Sequence, residues 1–87
     1  MTFDQWIDEV NVQVRARLGD SVRTEELSWD SAIWRTATGT AVAALADDGV
    51  TAKISFDGGD KLALGFDGPD AAPGVLAGTI ADHLVAR

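Results

Sequence analysis

The chain changes its apolar spacing twice, and that change restricts what it can fold into. Phe3, Trp6, Ile7, Val10, Val14 and Leu18 recur at intervals of three and four, the stripe of an α-helix. Val50, Ala52, Ile54 and Phe56, then Leu62, Leu64 and Phe66, recur at every second residue, the alternation of strands covered on one face. Val75, Leu76, Ile80 and Leu84 return to the helical spacing. A helix, a sheet and a second helix in that order predict an α+β fold.

The boundaries are marked by local chemistry. Thr2 with Gln5 three residues on is a capping-box pattern, and Gly19 is a natural stop, so the first helix spans about 3–18. The runs 22–29 and 33–38 carry β-branched residues and two tryptophans around a turn at Asp30-Ser31. Residues 40–46 suit a helix by propensity, yet Gly39 before them and Asp48-Gly49 after them favour a strand. Asp57-Gly58-Gly59-Asp60 joins the two clearest strands. Asp70 is placed to cap the last helix, and Pro73 is tolerated in its first turn. The expected architecture is therefore an N-terminal helix, an antiparallel meander sheet of three to four strands and a C-terminal helix. Both helices pack on one sheet face, and the whole makes one small domain over 1–87. The other face, with Thr, Lys, Ser and Ala, is left wet.

Composition narrows the function. The chain has 87 residues and no cysteine, which leaves neither a disulfide framework nor a thiol nucleophile. Fourteen acids against seven bases give a net charge of −7, a poor start for binding nucleic acid. The longest apolar run, Ala41 to Ala46, is too short to span a membrane, and acid stands where a signal peptide needs base. A cytoplasmic location is expected.

No catalytic group assembles in the sequence. His83 is the single histidine, and its neighbour Asp82 points to another part of the helix surface. Glu25 and Glu26 alternate on a strand and so are expected on opposite faces. No dinucleotide fingerprint or P-loop occurs. Neither an enzyme nor a bound cofactor is expected. Arg15, Arg17 and Arg23 form one basic concentration, but Asp20 interrupts it, and a solvated face suited to the helix C-terminus accounts for it.

Two features point to binding. Asp47, Asp48, Asp67 and Asp70 flank turns that share one end of a meander, a carboxylate set that suits Ca²⁺ or Mg²⁺. Turn chemistry alone also selects Asp and Gly there. The three tryptophans are the second feature. Trp6 belongs to the helix stripe and the core. Trp29 and Trp34 fall on opposite parities. If Ile33 faces the helices, Trp34 faces the open side of the sheet, where an exposed indole is a binding hot spot; in the other register Trp34 is buried in the core. The expected contact set is Trp34 and Trp29 with Glu25 and Arg35. An acidic surface steers towards a basic protein partner. A homodimer is the other partner considered, with Gly74 and Gly78 allowing close helix approach. The expectation is a non-enzymatic protein-interaction module of the inhibitor, immunity, chaperone or dimerisation type. A small-ligand or divalent-cation domain at the acidic turn end is the alternative.

Overall fold

A computed structural model describes residues 2–57, 59, 61–66, 68 and 72–85. Helix α1 spans Phe3–Leu18 and opens with the full capping box between Thr2 and Gln5. At its end Gly19 takes a positive φ of 58°, and a short 3-10 turn, Gly19–Ser21, leads into the sheet. The strands are β1 (Arg23–Leu27), β2 (Ser31–Arg35), β3 (Thr40–Leu45), β4 (Thr51–Phe56) and β5 (Lys61–Gly65). Helix α2, Pro73–Val85, follows. The Asp70 cap lies outside the described residues.

All neighbouring strands are antiparallel, in the sequential order of a meander. The sheet has five strands rather than three to four. The added count comes from 22–38, where two short runs both become strands, together with 40–45, which resolves as strand. The first turn occupies 28–30, and Ser31 already belongs to β2.

Of the two parities open to β2, the strand takes the one that buries Trp34, not the one that its place in the contact set needs. Ala32 and Trp34 face the helices and are fully buried, while Ile33 points to the open side. Register explains the preference. Trp34 lies opposite Ala41 on β3, and Ala32 opposite Ala43. The alanines leave the room that a buried indole needs, so large fits against small. The indole N–H donates to Asn11 Oδ1 of α1 at 2.9 Å, which satisfies the polar atom that burial would otherwise strand. Thr24, opposite Trp34 on β1, donates to the same oxygen at 2.8 Å.

Both helices lie on this face and pack against each other. Trp6, Ile7, Val10 and Val14 of α1 meet Leu76, Ala77, Ile80 and Leu84 of α2 above Ile54 and Phe56. Phe3, Trp6 and Phe66 form an aromatic group, with Phe3 edge-on to Phe66 at 5.5 Å. The Gly74/Gly78 face of α2 is taken by Arg17 of the same chain. Its guanidinium donates to the Gly74 carbonyl at 3.1 Å and lies 3.7 Å from where a Cβ on Gly78 would sit.

Candidate functional site

The three tryptophans divide sharply. Trp6 and Trp34 are 0% exposed, whereas Trp29 is 69% exposed. Trp34 is therefore a core residue, and its expected place in a contact surface is corrected by the β2 register. Trp29 sits in the β1–β2 turn, between Ser28 and Asp30.

That turn is held firmly. The Ser28 amide donates to the Ser31 carbonyl at 2.8 Å, and the Ser28 hydroxyl donates to Asp30 Oδ1 at 3.0 Å. The Ser28 and Ser31 hydroxyls stand 3.1 Å apart. The Asp30 carbonyl in turn accepts from the Leu45 amide at 2.8 Å, tying this turn to the end of β3. Trp29 is thus carried on a fixed support, so little backbone freedom is lost if it docks. Leu27 beside it and Val50 in the β3–β4 turn are also exposed apolar residues at this end.

The rim at this end is acidic. Asp30, Asp47 and Asp48 lie in the two turns, with no Lys or Arg in 28–30 or 46–50. The carboxylates differ in what they already hold. Asp48 Oδ1 accepts from the amides of Val50 and Thr51, each at 2.9 Å, and its Oδ2 accepts from the Thr51 hydroxyl at 2.6 Å. The Thr51 hydroxyl, then the Val50 and Thr51 amides, keep the Asp48 carboxyl below the usual 3.8. Asp48 is spent on its own turn, where Gly49 takes a φ of 76°. Asp47 is exposed. Asp67 and Asp70, the other half of the expected cation set, lie outside the described residues. No group of three or more metal-ligating side chains gathers among the described residues.

Glu25 and Arg35 are brought together, but away from Trp29. The β1 register slips between Thr24 and Glu26, so Glu25 is the extra residue of a β-bulge. Glu26 then pairs with the outward Ile33, and Glu25 reaches outward Arg35, with Oε1 3.5 Å from Nη2. Both glutamates therefore serve the open side, and the expected alternation between them fails at the bulge. The end of β2 that carries Arg35 is opposite the end that carries Trp29. His83 is exposed on α2 and stacks on Phe56, with ring centres 3.9 Å apart. Asn11 is the residue the sequence reading passed over. A polar position inside the α1 stripe, facing a tryptophan-bearing strand, was its only signal.

No protein-family model, characterised protein or solved structure matches this chain. No described helix is long and apolar enough to cross a membrane.

Proposed function

We propose that this protein is a non-enzymatic interaction module that binds a basic protein partner through the Trp29 end of its sheet. The observation that supports this reading is the exposure of Trp29, 69%, on a turn braced by Ser28, Asp30 and Ser31. An indole offers large contact area for few rotatable bonds, and tryptophan is enriched among residues that dominate binding energy. Leu27 and Val50 extend the apolar area, and Asp30, Asp47 and Asp48 supply an acidic rim. Rim charges of this kind speed encounter with a positive surface and make binding depend on salt.

The test is comparative capture from extracts of the native host. Wild-type protein should retain a partner with a basic contact surface, and the retention should fall as salt rises. Trp29→Ser should remain folded and lose the partner. Retention of the same proteins by wild type and Trp29→Ser would overturn the proposal, as would a partner whose capture ignores salt.

A further inference from the structure

One pair in the sheet works against the fold. Arg23 and Arg35 are direct cross-strand partners at the β1–β2 end remote from Trp29. Like charges at opposed positions destabilise a strand pair. A third guanidinium, Arg15 from the last turn of α1, joins them. With Asp20 and Glu25 these arginines line an open hollow of about 530 Å³, within the size range of small-ligand sites.

The polar groups of the hollow differ in what they have left to offer. The Thr24 hydroxyl is given to Asn11, and the Thr36 hydroxyl to the Leu84 carbonyl at 3.0 Å. Arg35 has Glu25 at 3.5 Å, while Arg15 and Arg23 have no ion-pair partner among the described residues. Arg17, their neighbour in sequence, is instead given to the Gly74 carbonyl. So three of the seven bases of an acidic chain converge where neither burial nor pairing accounts for two of them.

We propose that this hollow binds a small polyanion bearing at least two phosphoryl or carboxylate groups. Arg23 and Arg15 are its main donors, and Glu25 fixes the direction of Arg35. Guanidinium forks match either oxyanion in a bidentate fashion. The size of the hollow and the net charge of −7 on the chain favour a compact ligand over an extended polyanion such as nucleic acid. The repulsion between Arg23 and Arg35 is relieved when the anion sits between them.

The test is calorimetric titration of the intact protein with pyrophosphate and, separately, citrate at low ionic strength. Saturable binding of at least one is expected, with a Kd below about 1 mM. Pyrophosphate alone marks a phosphoryl ligand, citrate alone a polycarboxylate, and both a site that reads charge and spacing. Arg23→Gln should weaken binding by about tenfold or more, while Lys53→Gln and Lys61→Gln, on β4 and β5 and outside the hollow, leave it unchanged. Without ligand, Arg23→Gln should melt no lower than wild type, because it removes a like-charge pair. Failure of both anions to bind saturably would overturn the proposal. So would equal loss in the lysine variants, or a lower melting point for Arg23→Gln, which marks a structural arginine. Trp29→Ser should bind the anion as wild type does, so this site and the Trp29 surface stand or fall separately.

Discussion

Asn11 interrupts the apolar face of α1 between Val10 and Val14, and two hydrogen bonds converge on its side-chain oxygen. A buried indole N–H without an acceptor carries its full desolvation penalty. Asn11→Leu keeps the branched shape and removes the acceptor, so it should cost about 1–3 kcal/mol in urea unfolding with an unchanged slope. Trp34→Ala removes the largest side chain facing the alanines of β3 and should cost about 3–5 kcal/mol. Trp29→Ser should stay within about 0.5 kcal/mol of wild type, as a surface change with no packing role. The contrast between the two indoles was half legible in the sequence. The turn beside Trp29 was readable from Asp30-Ser31. Which parity faced inward was not, because it depends on the alanines across the ladder and on an acceptor from a helix more than twenty residues away in sequence.

The turns do separate work in positioning the elements. Thr36 and Thr38, in the β2–β3 turn, both donate from their hydroxyls to the Leu84 carbonyl near the end of α2. They fasten the helix to the sheet and satisfy a carbonyl that the helix end leaves unpaired. Thr36→Val with Thr38→Val should cost about 1 kcal/mol per lost bond, lowering the melting point by roughly 4–8 °C for each kcal/mol in a chain this size. The β3–β4 turn adds a pH dependence. The Asp48 carboxyl is depressed below its usual 3.8 by Thr51 and Val50, so its contribution is complete above that value and lost as pH falls through the lower folded value. Wild type should therefore be more stable than Asp48→Asn at neutral pH, and the difference should vanish in acid, as melts across pH 2–7 can check. Helix α1, the 50–56 and 61–65 hairpin and α2 were legible because periodicity and caps agreed. The bulge at Glu25 was not, because an extra residue leaves no mark in a run that alternates weakly.

At the scale of the molecule, three bases gather with Asp20 and Glu25 at one end of the β1–β2 hairpin, while the turns at the other end carry acids and no base. Asp30, Asp47 and Asp48 lie in the turns at the Trp29 end, while Arg15, Arg23 and Arg35 gather at the far end. The meander order produces the separation, because strand direction reverses at each turn and sends alternate turns to opposite ends. The helical layer covers one face, which leaves turns, edges and the open side exposed. Millimolar Ca²⁺ should leave the melting point unchanged, because Asp48 already accepts from its own turn through both oxygens. One tryptophan is presented to solvent while two are structural. Hydrogen exchange at the three indole N–H groups, followed by NMR, reads that division directly. Two signals should exchange slowly, one of them moved by Asn11→Leu. The third should exchange fast, disappear in Trp29→Ser and shift when the partner is added. Fast exchange at Trp34, or a Trp29 signal as protected as the others, would contradict the account.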